Sequence, residues 1–91
     1  FKKLIVVFGC GGDRDKSKRS KMLKVAINHA SKIIFTSDNS RSETFEDIFK
    51  DASSGNNLNN VKVVEDRKEA IIYGSKLIDD DDCLWILGKG H

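Results

Sequence analysis

Four short apolar runs alternate with three stretches of helical periodicity along these 91 residues, and no other feature restricts the available folds as much. The runs are Leu4-Ile5-Val6-Val7-Phe8, Ile33-Ile34-Phe35-Thr36, Val61-Lys62-Val63-Val64 and Leu84-Trp85-Ile86-Leu87. Each is β-branched or aromatic and short enough to be a strand, and the first and last read as strands buried on both faces. Between them, Leu23, Ala26, Ile27 and Ala30 form one helical stripe, and Phe45, Ile48, Phe49 and Ala52 a second with i, i+3, i+4, i+7 spacing. The third comprises Ala70, Ile71, Gly74, Leu77 and Ile78, preceded by Asp66 as a helix cap with Glu69 at the capping-box position. The order β-α-β-α-β-α-β calls for a mainly parallel sheet with right-handed crossovers and helices on both faces, a Rossmann-like doubly wound α/β fold. A chain of this length has material for one core, so residues 1–91 are expected to be a single domain.

The chain opens at Phe1 and closes on Gly-Lys-Gly-His, which reads as a piece of a longer polypeptide. With 38% hydrophobic and 33% charged residues it has a globular composition, and no apolar run approaches the roughly 20 residues of a membrane span. Neither a signal peptide nor membrane insertion is expected. Net charge is +2, with a local excess at Arg14, Lys16, Lys18, Arg19, Lys21 and Lys24 that suits a small anion better than nucleic acid. Cys10 and Cys83 lack metal-site spacing and read as reduced core residues of a cytosolic protein. Residues 53–60 are rich in Ser, Gly and Asn and read as a tolerant surface loop, and Asp79 to Asp82 as a solvated turn.

In open α/β sheets ligands bind beyond the carboxyl ends of the strands, where loops and helix N-termini converge. The four strand exits here carry Gly9-Cys10-Gly11-Gly12-Asp13-Arg14-Asp15-Lys16, Ser37-Asp38-Asn39-Ser40-Arg41, Glu65-Asp66-Arg67 and Gly88-Lys89-Gly90-His91. Gly9, Gly11 and Gly12 permit positive φ or close backbone approach, so that amides and a following helix N-terminus can face an anion. The same glycines fit an ordinary turn, since the run is neither GxGxxG nor GxxxxGK[ST]. Asp38, Asn39 and Arg41 offer an acceptor, an amide and a guanidinium, a set able to hold the ammonium and carboxylate of an amino acid. The competing reading is an Asx turn that caps the next helix beside a solvated Arg41.

Taken together, the segments Phe8 to Arg19, Thr36 to Arg41, Glu65-Asp66-Arg67 and Gly88 to His91 resemble the C-terminal domain of the Mur ligases. Within that family they look most like the branch that extends UDP-N-acetylmuramoyl-L-alanyl-D-glutamate with a diamino acid. The likeness runs in order along nearly the whole chain. It implies a three-domain cytoplasmic enzyme of bacterial peptidoglycan synthesis, whose central domain binds ATP and Mg²⁺ through a P-loop. There an acyl phosphate forms on the D-glutamate side chain and the amine of the incoming amino acid attacks it. The C-terminal domain holds that amino acid against the protein's own N-terminal and central domains. Carried over position by position, the resemblance makes Arg14, Asp38, Asn39, Arg41 and Gly88 the contacts to the diamino acid.

The arginine of the DNxR segment is the family's mark for meso-diaminopimelate, whose distal carboxylate pairs with a guanidinium; lysine has no such group. Arg41 therefore implies diaminopimelate, with the lysine-adding homologue as the alternative. Two positions depart from the pattern: Ser40 replaces a proline, freeing φ in that loop, and Ser17 replaces a common glycine. The family's segment runs on to a glutamate after GKGH, the P-loop and metal ligands belong to the central domain, and residues 1–91 alone are expected to be inactive. Two other readings share the fold. A dinucleotide-binding module lacks its GxGxxG here, and a response-regulator-like domain would have acids in place of glycines after its first strand.

Overall fold

In the computed structural model, the described residues are 3–11, 18–38 and 42–87. They form β1 (Leu4–Phe8), α1 (Arg19–His29), β2 (Lys32–Phe35), α2 (Phe45–Ser53), β3 (Val61–Val63), α3 (Arg67–Leu77) and β4 (Cys83–Ile86). All strand pairs are parallel, in the order β3-β2-β1-β4. The expected elements and their order are therefore present, each strand within a residue of its expected limits.

Side-chain alternation along β1 explains why two cores are needed. Leu4, Val6, Phe8 and Cys10 point to one face with Ile33 and Phe35 of β2, while Ile5, Val7 and Ile34 point to the other. Leu23 of α1 and Ile48 and Ala52 of α2 close the first face, and Ala70 of α3 closes the second. Connections of one hand put α1 and α2 on a single face while the chain moves from β1 to β3; the return to β4 places α3 opposite. Phe35 centres the first core, fully buried, with ring centroids of Phe49, Phe45 and Phe8 at 5.0, 5.8 and 5.9 Å. On the second face a Cβ at Gly74 would stand 3.1 Å from both Ile34 and Leu84 and 3.3 Å from Val7. A glycine at that point lets α3 lie close to the sheet.

Local chemistry sets the helix starts. Asp66 accepts from the Glu69 amide at 3.0 Å, as expected, and Thr44 caps α2 by accepting from the Asp47 amide at 3.1 Å. Asp82 accepts from the Asp79 amide at 2.8 Å and lies 3.7 Å from Lys3 Nζ, so the aspartate run is a closed turn.

Two expectations need correction. β4 is not a buried strand: Trp85, Ile86 and Leu87 are 49, 45 and 40% exposed. Its composition matches that of β1, but it lies at the outer edge of the described sheet. α1 packs on β1 and β2 rather than over β4, leaving an apolar groove between α1 and β4 with Met22, Val25, Trp85 and Leu87 along it. The 53–60 loop, for its part, is more than a tolerant linker, because Asn56 Nδ2 donates to the carbonyls of Ala52 at 2.8 Å and Ser20 at 3.0 Å and so ties α2 to α1.

Phe35→Ala is expected to destabilise residues 1–91 by about 3–5 kcal/mol, whereas Val25→Ala, on the exposed side of α1, should cost less than about 1 kcal/mol. Urea unfolding of both variants checks this; similar midpoints would contradict the placement of the core.

Candidate functional site

Because every strand is parallel, all four exits open on one edge of the sheet, and the reversal of strand order between β1 and β4 makes a crevice there. Hydrogen bonds draw the exits together. The Thr36 amide donates to Phe8 O at 2.9 Å, the Ser37 amide to Glu65 O at 3.0 Å, and the Leu87 amide to Val7 O at 2.7 Å. Buried Thr36 also donates through Oγ1 to Glu65 O at 3.0 Å. Arg67, the first residue of α3, reaches across the same edge, with Nη1 3.5 Å from Ser37 O and Nη2 3.4 Å from Leu87 O.

The close passage of β1 and β2 accounts for Gly9. A Cβ there would sit 2.7 Å from the Thr36 carbonyl oxygen and 3.2 Å from the Asp38 Cβ, inside contact distance of backbone that cannot yield. Positive φ is not the reason, since among the described glycines only Gly55 adopts it. Gly11 contributes its carbonyl oxygen, which accepts from Arg19 Nη2 at 3.1 Å. α1 begins immediately after Lys18 with, among the described residues, no side-chain cap, and its first turn holds no acidic residue.

Of the residues expected to hold the amino acid, Asp38 is placed at the exit of β2, beside Gly9. Arg14, Asn39, Arg41 and Gly88, together with Gly12, lie outside the described residues. In sequence, Gly11 and Lys18 bracket Arg14, Asp38 and Ser42 bracket Asn39 and Arg41, and Leu87 precedes Gly88. The N-cap of the following helix is Thr44.

The basic segment after β1 is not uniformly solvated. Lys18, Lys21 and Lys24 are exposed, but Arg19 is buried, its guanidinium 2.6 Å from Glu43 Oε1 and 2.9 Å from Asp51 Oδ2. The hydrogen bonds to Glu43 raise its pKa further above the normal arginine range, outweighing the opposing effect of burial. Arg19 is thus removed from the pool of cations available to a small anion. Cys10, the neighbour of Gly9, is a buried free thiol. Desolvation pushes its pKa from 9.0 to about 11; the Arg19 charge opposes the rise and the Asp38 charge adds to it.

The parallel order β3-β2-β1-β4, with its reversal between β1 and β4, is that of a doubly wound α/β sheet of the nucleotide-fold type, in which small ligands bind at the switch point. Residues 1–90 match the family described as Mur ligase, glutamate ligase domain, and the chain belongs to that family. It is 50% identical over 86 residues to the UDP-N-acetylmuramoyl-L-alanyl-D-glutamate–2,6-diaminopimelate ligase of Halalkalibacterium halodurans, covering 94% of this chain and 18% of that protein. The ligase of the same name from Helicobacter pylori is 53% identical over 89 residues, 97% of this chain and 20% of the relative. A solved structure of a ligase with that name superposes with a TM-score of 0.92 at 41% identity, over 100% of this chain and 19% of that one. The chain thus spans about a fifth of the length of the curated relatives it matches.

The Cys10 shift gives a pH prediction. A thiol whose folded pKa is raised contributes stability that is intact below pH 9 and is lost as pH rises toward 11. Wild type should therefore lose at most about 2–3 kcal/mol relative to Cys10→Ala between pH 8 and pH 11. Urea midpoints of the two proteins across that range check it, and a stability difference that does not vary with pH would contradict it.

Proposed function

We propose that the protein carrying this chain is an ATP-dependent ligase that adds meso-diaminopimelate to UDP-N-acetylmuramoyl-L-alanyl-D-glutamate in cytoplasmic peptidoglycan synthesis. Residues 1–91 form its single C-terminal domain, which holds the incoming diamino acid. One observation carries the reading: residues 1–90 match the Mur ligase family, and the strands that precede the matching segments in sequence all end at the same edge of the sheet. The relatives' names add the substrate pair.

Within this domain the work is binding and orientation. Arg41 and Arg14 present guanidinium forks to the carboxylates of the amino acid, Asp38 and Asn39 accept from its ammonium groups, and Gly88 leaves room at the exit of β4. Held in this way, one amine faces the D-glutamyl acyl phosphate presented by the rest of the protein. Its nitrogen bonds to the acyl carbon, phosphate leaves, and the amine gives up a proton as the amide forms. Among the described residues no group of three or more His, Cys, Asp or Glu converges as a metal site requires, and the chain contains no GxxxxGK[ST]. By the likeness to the Mur ligases, ATP and Mg²⁺ are assigned to the rest of the polypeptide, and purified residues 1–91 should not hydrolyse ATP.

Arg41 decides the substrate. In the intact ligase, Arg41→Ala should lower kcat/KM for meso-diaminopimelate roughly ten- to a hundredfold, the loss of a charge-assisted pair of about 1.5–3 kcal/mol, with KM for ATP nearly unchanged. Arg41→Lys should recover part of the loss, since an ammonium keeps the charge without the planar fork. Ligation of lysine in place of meso-diaminopimelate by the wild-type enzyme, or a small equal loss for both amino acids in Arg41→Ala, would overturn this assignment.

A further inference from the structure

We propose that Arg19 is a positioning residue of the amino-acid site, a clasp that fixes the loop carrying Arg14 relative to the loop carrying Asn39 and Arg41. The inference rests on the assignment of those loops made above, and it concerns a residue that no substrate contact requires. Arg19 is the first residue of α1 and is 2% exposed. Its fork donates to both oxygens of Glu43, Nη2 to Oε1 at 2.6 Å and Nη1 to Oε2 at 3.0 Å. Nη1 also donates to Asp51 Oδ2 at 2.9 Å, and Nη2 to the Gly11 carbonyl at 3.1 Å.

The partners explain what the contact does. Gly11 lies at the end of the β1 exit and Arg19 at the start of α1, so the bond between them joins the two described residues that flank the segment containing Arg14 in sequence. Glu43 stands between residue 41 and Thr44, the cap of α2, so the bidentate pair anchors the far end of the second loop to the same guanidinium. Asp51 ties the assembly to the body of α2. A single side chain thus links the two connections whose sequences carry four of the five assigned contacts, with Glu43 24 residues away and Asp51 of α2 32 residues away.

A clasp whose purpose was stability alone would gain little from this chemistry. Burying a guanidinium is costly, well-packed apolar side chains often serve as well, and here Nε is buried with no partner among the described residues. The arrangement supplies direction instead. Planar donors aimed at a carbonyl and two carboxylates hold each loop at a defined distance, and misplacement of a binding group by about 1 Å is enough to cost a hundredfold in rate. Lysine, a point charge with three donors, cannot make all four bonds with the same geometry.

The test uses the intact ligase and the variants Arg19→Lys and Glu43→Gln, with KM for meso-diaminopimelate, KM for ATP and the thermal midpoint measured for each. KM for meso-diaminopimelate should rise at least about tenfold in both variants while KM for ATP stays within about twofold. Both should also show faster amide exchange in residues 11–18 and 39–43 than wild type. A lowered thermal midpoint with the ratio of the two KM values unchanged would overturn the proposal and leave Arg19 a purely structural residue. Should Arg19→Lys fail to fold, Glu43→Gln, which keeps the size and one acceptor oxygen of the original side chain, gives the same decision. The outcomes separate the two levels of inference. A wild-type enzyme that ligates a different amino acid overturns the substrate assignment, and the clasp is then judged on KM for that amino acid. A wild-type enzyme that ligates meso-diaminopimelate, with variants that show no selective KM change, overturns the clasp alone.

Discussion

Parallel pairing of β1 with strands on both sides is the constraint from which the rest of the structure follows. β1 is bonded to β2 on one edge and β4 on the other, and its five residues are buried on both faces. Parallel neighbours cannot be joined by tight turns, so each connection needs a helix that returns the chain to the starting edge. That requirement sends every strand exit to the opposite edge. It is also why the two faces of β1 need separate cores, one under α1 and α2 and one under α3. Without the hydrogen bonds from Thr36 and Leu87 to β1 carbonyls, the exits of β2 and β4 would have no fixed relation to Gly9.

Function builds on that edge through residues that are not themselves substrate contacts. Gly9 brings β1 within contact distance of Thr36, Thr36 laces β2 to β3, and Arg67 extends across from α3 to the exits of β2 and β4. Arg19 joins the loop after β1 to the approach to α2. Binding groups on loops gain precision only from such supports, because an exposed loop left to itself samples many positions. The hydrogen-bonded layer at the strand exits suits the part proposed for this domain, the orientation of an amine.

Much of the fold was legible because period and composition agree. The stripes in α1, α2 and α3 are the faces that pack, and the Asp66 cap is as read. The burial of β4 was misjudged for a physical reason: an apolar run of four reports that a strand forms, while its place in the strand order decides what covers it. Leu84-Trp85-Ile86-Leu87 and the run in β1 look alike in sequence and differ in neighbours. In sequence the glycine run admits positive φ or close approach; close approach explains Gly9, and only the position of Thr36 reveals it. Arg19 was the least visible. In sequence it is one cation among six, and its partners lie 24 and 32 residues away, so only tertiary structure separates it from Lys18 and Lys21. A weak signal was present, since Arg19 follows the loop at the first helical position, where a side chain can fold back on the turn.

The central claim is that the amino acid is held at the carboxyl edge of this sheet, across the exits of β1, β2 and β4. Hydrogen exchange of the intact ligase with and without meso-diaminopimelate, in the presence of its nucleotide substrate, locates that contact most directly. Exchange should slow in residues 9–18, 37–42 and 87–91 and stay unchanged in residues 54–60 and 79–82, which precede β3 and β4 at the opposite edge. Protection confined to the opposite edge, or absent from all three exits under conditions where ligation proceeds, would contradict it.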